Sequence, residues 1–519
     1  MLLSAEQRGL KLSFDQAESR AVEALAGLSV LADEPMRIAN VLAQRSVGLQ
    51  PDLGRLLNHL NTRELGAPNS TIRYRWELSH RRVDPPPYAG PLESWRTWRP
   101  LEQQVLDRET FDFEERLTLP ILIADSSQLL DELRQVTPTG SARLSLVSGR
   151  SQHSLADMAD RMLTEAEPVL RKDLAQHVQM LNAWTDTFAL FCLAQRPRAV
   201  ALHRPIALAI TSSYSMAAQK GHVEGTRFPF HGQPLVSASA HLAAGLLALG
   251  TEFGLLGRLV TWLKRAALPA GGFRDADQPP DVLTTLAAAQ VLAGLDPTFD
   301  VRPSAHYLLG QQEEKGFFRA LGPEVPWLTA LVLNWLRQAR LPFWRRFHWP
   351  NPNDSNTDRK TGLAGFTYFL ELCELIAHCP CLATATMPFA FIDLVGFRAF
   401  NNSCGQDAGD QALEACAAAL EELPGVKIVR DGGDEFLVIG APTRLPLYED
   451  LVHLREIWPE KFRNRFGPDV PLVRMRALVG HVCGSRLRLA RENLGRRIGE
   501  LKNVKEHDGA VIRDIGLIA

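Results

Sequence analysis

The chain has 519 residues, 57 Lys and Arg against 59 Asp and Glu, a formal net charge of −2, and 45% hydrophobic with 22% charged residues. At roughly 150 residues per domain that length fits about three or four units; the composition excludes a largely disordered chain, a collagen and a coiled-coil rod, and the near-neutral balance leaves no overall footprint for nucleic acid. Seven cysteines are too sparse, and odd in number, for a disulfide scaffold, which points to a reducing compartment.

The start, Met1-Leu-Leu-Ser-Ala-Glu-Gln-Arg8, has no basic segment followed by a long apolar core, so no export signal is expected. No run of about 18 apolar residues exists. The longest, Leu242 to Gly250, is closed by Thr251 and Glu252 and fits a buried helix. The expectation is a cytoplasmic chain without membrane contact.

Residues 1–150 read as a mixed helical and β region of unknown role. Ala21 to Leu31 and Met36 to Val47 carry apolar residues at three and four spacings, as helices do. Ile72, Tyr74, Trp76 and Leu78 alternate with polar residues, a strand pattern. Pro85-Pro-Pro-Tyr88 breaks it, and Leu117 to Ala124 reads as another strand before a short helix to Val136.

Residues 151–345 read as a helical repeat. Phe228, Phe273 and Phe318 are spaced by 45, as are Ser239, Thr284 and Thr329, with Trp262 and Tyr307, and Leu263 and Leu308, at the same offset. Each Phe sits in a loop, followed by an apolar helix over Leu235 to Leu249, Val282 to Leu295 and Val325 to Leu336. A period of this length means stacked supersecondary units. Tyr307-Leu-Leu-Gly-Gln-Gln-Glu-Glu-Lys-Gly-Phe317, with Trp262-Leu-Lys and Gly271-Gly-Phe273 as a weaker copy, resembles the prenyltransferase and squalene–hopene cyclase repeats. That resemblance implies an α/α toroid; the alternative is a helical scaffold without chemistry. Asp275-Ala-Asp277-Gln278 resembles the acid motif of class II terpene cyclases but fails at its fourth position, and fits a helix-capping loop. His241 in its apolar helix reads as a core residue, and Trp327, Trp335, Trp344 and Trp349 as packing. Residues 346–357, including Trp349-Pro-Asn-Pro-Asn-Asp-Ser-Asn-Thr357, are dense in turn formers and read as a linker.

The last part, 358–519, carries the chemistry. Val426 to Val429 and Phe436 to Ile439 read as paired strands around Arg430-Asp431-Gly432-Gly433-Asp434-Glu435. Two glycines in a hairpin permit positive φ and close approach of a ligand. Two carboxylates directly after them suit a hard divalent metal. Upstream, Phe389-Ala-Phe-Ile-Asp393 is a buried strand ending in a carboxylate, costly unless paired or metal-bound. Antiparallel neighbours would bring Asp393 beside the Asp434 hairpin. Cys373, His378, Cys379 and Cys381 match no common zinc spacing and lack a second half.

Here the sequence resembles the GGDEF family, the diguanylate cyclases. Asp358-Arg-Lys-Thr361-Gly362-Leu363 is similar to its opening D-x-L-T-G-L, Asp393-Leu-Val-Gly-Phe397-Arg398-Ala-Phe-Asn401 to D-x-D-x-F-K-x-x-N, and Gly405 with Gly409-Asp410-Gln-Ala-Leu413 to G-H-x-x-G-D-x-x-L. Arg430 to Phe436 supplies the signature. The resemblance implies a mostly antiparallel α/β domain that joins two GTP into cyclic di-GMP with Mg²⁺ or Mn²⁺. Asp393, Asp434 and the Leu394 carbonyl would hold the metal, and Glu435 would support it or the attacking hydroxyl. Asn401 and Asp410 would read guanine. Backbone N–H groups from Phe397 and Arg398 to Asn401 would hold phosphates, with Gly432 and Gly433 giving room and Lys502 and Lys505 adding charge. A homodimer is implied, through these domains or the helical region, with a small-molecule or protein signal on the helical region.

Departures from the family pattern are Val395 for its second Asp, Asn402 for Asp, Gln406 for His, and Glu506 where its Arg falls. Leu423-Pro-Gly-Val426 stands where the inhibitory R-x-x-D would end, so no inhibitory site is expected. The alternatives are a catalytically degenerate domain that binds nucleotide to regulate a partner, terpenoid chemistry or binding in the toroid, and a related cyclase fold using another nucleotide.

Overall fold

The computed structural model describes residues 5–27, 49, 183–194, 204–225, 230–318, 326–444, 447–502 and 511–518. The helix at Met36 to Val47, the strands at 72–78 and 117–124, the helix to Val136, the loop at Phe228 and Lys505 lie outside these residues. The described chain forms two compact units: one from residues up to 248 with 262–291 and 300–340, the other from 249–261, 292–299 and 341 onward.

The first unit is helical. Its helices are α1 (Ala5–Ala26), α2 (Ala183–Ala194), α3 (Arg204–Ser215) and α4 (Val236–Leu249), and it shares α5 (Phe253–Ala266) and α6 (Val282–Leu295) before α7 (Val301–Gly310) and α8 (Pro326–Ala339). A small two-stranded pairing joins β1 (Val223–Glu224) to β2 (Pro234–Leu235). The apolar runs expected to be helices at 235–249, 282–295 and 325–336 are helices, and of the run at 21–31 only the part up to Ala26 lies in a described helix. Ala21 and Leu25 of α1 pack with Ala330 and Leu333 of α8.

The repeated loops share a device. The Phe273 N–H donates to Thr285 Oγ1 at 2.9 Å, and the Phe318 N–H to Thr329 Oγ1 at 3.0 Å, so each aromatic loop is tied to the first turn of the helix after it. The spacing of 45 pairs Thr284 with Thr329, but Thr285 is the residue that makes the bond; the Thr284 N–H instead donates to the Asp281 carboxylate at 2.8 Å. One extra residue between loop and helix accounts for the offset. The α/α toroid expected over 151–345 is not supported, because part of that stretch lies outside the described residues.

Asp275 caps α4: it accepts the Ser237 N–H at 2.8 Å and also the Ser237 hydroxyl. This is the capping-loop role expected for Asp275-Ala-Asp277. Burial, partly offset by these two bonds, raises its carboxyl to about 6. His241 is fully buried among the Phe188 and Phe191 rings, with centroids at 5.2 and 5.1 Å, and burial pushes it down to about 3. A core histidine held neutral fits that environment.

The second unit is built on a mixed sheet. Among the described residues six strands take the order β3-β5-β6-β4-β7-β8: β3 (Ala364–Gly365), β4 (Thr386–Val395), β5 (Val426–Gly432), β6 (Glu435–Gly440), β7 (Arg474–Cys483) and β8 (Ile512–Leu517). The four central strands are antiparallel to one another, and the edge strands pair in parallel, β3 with β5 and β8 with β7. β4 lies inside, which is why Met387 to Leu394 is an almost unbroken apolar run.

Helices cover both faces. After the one-turn α9 (Phe343–Arg346) come α10 (Phe366–His378), the short α11 (Pro380–Ala383), α12 (Phe397–Cys404), α13 (Gln406–Glu421), α14 (Leu447–Phe466) and α15 (Leu487–Lys502). Ala390, Ile392 and Leu394 join α13 and α14 in one core with Phe400, Leu413, Trp458 and Phe462. Alternation sends Phe389, Phe391 and Asp393 to the opposite face. There Phe369 of α10 stacks on Phe389 at 6.4 Å, and Gly495 of α15 lies against Phe391.

Candidate functional site

The site forms where β4 ends and the β5–β6 hairpin turns. The register pairs Asp393 with Glu435 on β6 and with Arg476 on β7, so the three side chains share the face opposite the main core. Asp393 is 3% exposed, and Arg476 Nη1 lies 3.9 Å from its Oδ2. The Leu394 N–H donates to the Asp434 carbonyl at 3.2 Å, which fastens the hairpin turn to the end of β4. Asp393 and Glu435 therefore face each other beside the backbone of Leu394 and Asp434, which brings the end of β4 next to the hairpin.

The hairpin closes through Gly432 and Gly433, with φ of 151° and 54°. Asp431 bulges out of the β5–β6 ladder just before them. A Cβ at either glycine would meet nothing within 4 Å, so the turn faces open space. Arg430, 8% exposed, braces it from beneath: its guanidinium donates to the Gly433 carbonyl and to Asp358 Oδ1, the latter at 3.2 Å. Asp358 also accepts the Thr361 N–H at 2.9 Å and hydroxyl at 2.7 Å. Burial alone would raise its carboxyl, but the Thr361 bonds and the Arg430 charge hold it below the ordinary carboxylate value. The Asp358–Gly362 turn and the glycine hairpin are thus one braced unit.

A second brace holds the other side. Asp431, with its side chain 2% exposed, receives Arg491 of α15 bidentately at 2.9 and 2.6 Å. The guanidinium lies 4.8 Å over the Phe366 ring, and the bond to Asp431 raises its pKa above the ordinary value. Neither Arg430 nor Asp431 was singled out for these roles from the sequence; their adjacency to the glycine pair was the available signal, but the partners lie 72 and 60 residues away.

Gly396, at φ 86°, turns β4 directly into α12, so Phe397 and Arg398 begin that helix beside the acidic cluster. Phe397 is half-buried and Arg398 exposed. Asn401 lies on α12 with its amide oxygen against Gly409; a Cβ at Gly409 would stand 1.9 Å from it. Asp410 follows on α13, and both its oxygens accept from Lys360 Nζ, at 2.7 and 2.9 Å. Lys502 closes α15, with its side chain outside the described residues, and Lys505 lies outside them altogether.

The donor set suits a hard cation. Asp393 and Glu435 present carboxylates across one strand pair, and Mg²⁺ is ordinarily held by one or two carboxylates with water and phosphate completing the shell. Among the described residues no group of three His, Cys, Asp or Glu that could hold a metal ion comes together, so a bound cation would need those further oxygens. Cys379 and Cys381 are free thiols with Sγ atoms 2.9 Å apart.

A family model for the diguanylate cyclase GGDEF domain matches residues 355–453. This segment is a GGDEF domain. The match covers Asp358, Asp393, Asn401, Asp410 and the hairpin, and ends within α14, before β7 and β8 complete the sheet. The chain is similar to the coiled coil and GGDEF domain of DgcB from Caulobacter crescentus in complex with c-di-GMP: 20% identity, TM-score 0.26, over 31% of this chain and 86% of that one. It is also similar to the diguanylate cyclase SiaD from Pseudomonas aeruginosa in complex with its activator SiaC: 24% identity, TM-score 0.26, over 31% of this chain and 62% of that one. The FimX GGDEF domain from the same organism shows 16% identity and a TM-score of 0.25 over 31% of this chain and 98% of that one. No curated protein matches the chain. Among the described residues no helix is long and apolar enough to cross a membrane.

Proposed function

We propose that the GGDEF domain is a diguanylate cyclase that condenses two GTP into cyclic di-GMP. The observation that carries this reading is the register of β4 against β6, which sets Asp393 opposite Glu435 with the Asp434 carbonyl bonded to Leu394. Asp393, Asp434, Glu435 and the Leu394 carbonyl would hold Mg²⁺ or Mn²⁺, which would neutralise charge on the triphosphate. Asn401 and Asp410 read the guanine edge. The N–H groups at Phe397 and Arg398, at the start of α12, receive phosphate oxygens. Gly432 and Gly433 leave room for the nucleotide at the turn, and Lys502 and Lys505 add positive charge.

Two domains face each other in a homodimer, each holding one GTP. Each 3′-oxygen forms a bond to the α-phosphorus of the opposite nucleotide as the bond to pyrophosphate breaks, and the hydroxyl proton leaves toward Glu435 or water. The protein's contribution is positioning and electrostatic stabilisation. The helical region would take a small-molecule or protein signal or hold the dimer.

A second reading, a regulatory module that binds nucleotide without turnover, is favoured by Arg476 beside Asp393 and by Val395 at the family's second acidic position. One experiment separates them. The full chain is incubated with Mg²⁺ and GTP or ATP, with Asp434→Ala as control, and products are identified by mass spectrometry. Cyclic di-GMP from GTP, lost in the variant, supports the cyclase; GTP binding with no product supports the module.

A further inference from the structure

Lys360 stands where the family pattern cited above has Leu, and its ammonium sits on the carboxylate assigned to reading the base. Its backbone is not free to wander. Asp358 accepts two bonds from Thr361, the Gly362 N–H donates to the Asp358 carbonyl at 2.9 Å, and Arg430 anchors Asp358 to the hairpin. Lys360 therefore projects from a braced turn toward Asp410, which follows the Gly409 backbone that supports Asn401. Both partners are partly exposed, at 56% and 41%, and a solvent-accessible pair of this kind opens easily for an incoming hydrogen-bonding edge.

We propose that Lys360 is a specificity-determining residue that donates to the 6-carbonyl of a 6-oxopurine nucleotide while Asp410 accepts its ring N–H. This rests on the reading of Asn401 and Asp410 as the base pocket. A 6-oxopurine carries an acceptor, O6, directly beside its N1–H donor. An ammonium next to a carboxylate is the complement of that pair. A 6-aminopurine seated the same way would present its amino group to the ammonium, donor against donor. Lysine can serve here because its flexible stem lets Nζ leave its place on Asp410 and remain within reach of the base.

The test is calorimetric titration of the full chain, wild type and Lys360→Ala, Lys360→Leu and Lys360→Arg, with GTP, ITP, ATP and 2-aminopurine riboside triphosphate. ITP keeps the 6-carbonyl and lacks the 2-amino group; the 2-aminopurine nucleotide has the reverse. The expected result is that Ala and Leu weaken GTP and ITP about tenfold, the size of one charged hydrogen bond. The 2-aminopurine nucleotide stays within about twofold, the preference for GTP over ATP falls, and Arg retains it. Equal changes for all four nucleotides would overturn the proposal, because Lys360 would then act only as a general charge. So would tighter GTP binding in the Ala variant, which would make it a mere competitor for Asp410. Wild-type protein that binds GTP, with Lys360 variants indistinguishable from it, removes the Lys360 assignment alone; wild-type protein that binds none of the four removes the base-pocket reading with it.

Discussion

The helical unit and the GGDEF domain both place glycine at a turn, for opposite ends. In the repeat loops the glycines are packed shut. A Cβ at Gly271 would stand 2.1 Å from the Pro303 backbone, and one at Gly316 would stand 2.3 Å from the Arg20 carbonyl. At Gly432 and Gly433 a Cβ would meet nothing within 4 Å. A glycine closed in by backbone serves packing, whereas a glycine turn facing open space leaves room for a ligand. Sequence similarity between such turns therefore says little until the surroundings are known.

That contrast can be broken where its effect is largest. Gly271→Ala and Gly316→Ala should each cost about 3 kcal/mol, since backbone atoms cannot step aside as a side chain would. Gly433→Ala should cost only about 1 kcal/mol, the strain of a left-handed residue. Chemical denaturation followed by circular dichroism measures both, and equal losses at the three positions would remove the distinction.

The hairpin side of the contrast, and the cyclase proposed for it, is sharpened by Glu435→Gln. Half-buried at the start of β6, it should keep its melting temperature while cyclic di-GMP formation falls about a hundredfold, the scale of losing one electrostatic contact to a transition state. Retained turnover, measured by product mass, would exclude Glu435 from the chemistry.

The two units should also titrate differently. His241 is held at about 3 against an ordinary 6.5, so the unfolded chain binds its proton more readily and stability falls as pH drops below about 6.5, by up to about 1.4 kcal/mol per pH unit. His241→Leu should flatten that slope for the helical unit. Lys427, whose ammonium lies 5.0 Å from the Tyr368 ring centroid, is pushed by burial to about 8 from 10.5. Its contribution has the same sign in a different window: stability rises between pH 8 and 10.5 as the unfolded chain loses its extra proton. Lys427→Met should remove that rise, measured as thermal stability across the window.

The smallest effect concerns the cap on α4. Asp275→Ala should cost about 1 kcal/mol, as loss of a helix cap does, with no effect on nucleotide turnover. A change in turnover instead would give Asp275 a role beyond capping.

Local pattern carried much of this molecule. The apolar run Phe389 to Ile392, the acidic residue after it, the two short strands and the glycine pair between them determined a β-hairpin site, because alternation and turn chemistry are properties of adjacent residues. The helices after Phe273 and Phe318 were legible for the same reason. Contacts across the chain were not. That Arg430 would join Asp358 to the Gly433 carbonyl, that Arg491 would close on Asp431, and that Arg476 would stand beside Asp393 depends on strand order and helix placement, which no local window contains. Lys360 is the clearest case. In the sequence it is one residue of a turn; only the fold, by bringing that turn to the start of α13, sets its ammonium on Asp410. The sequence by itself determined the local elements and the order of the acidic and glycine residues along them, through short-range periodicity and residue type. The tertiary structure decided which charges meet, because long-range electrostatic partners are chosen by packing.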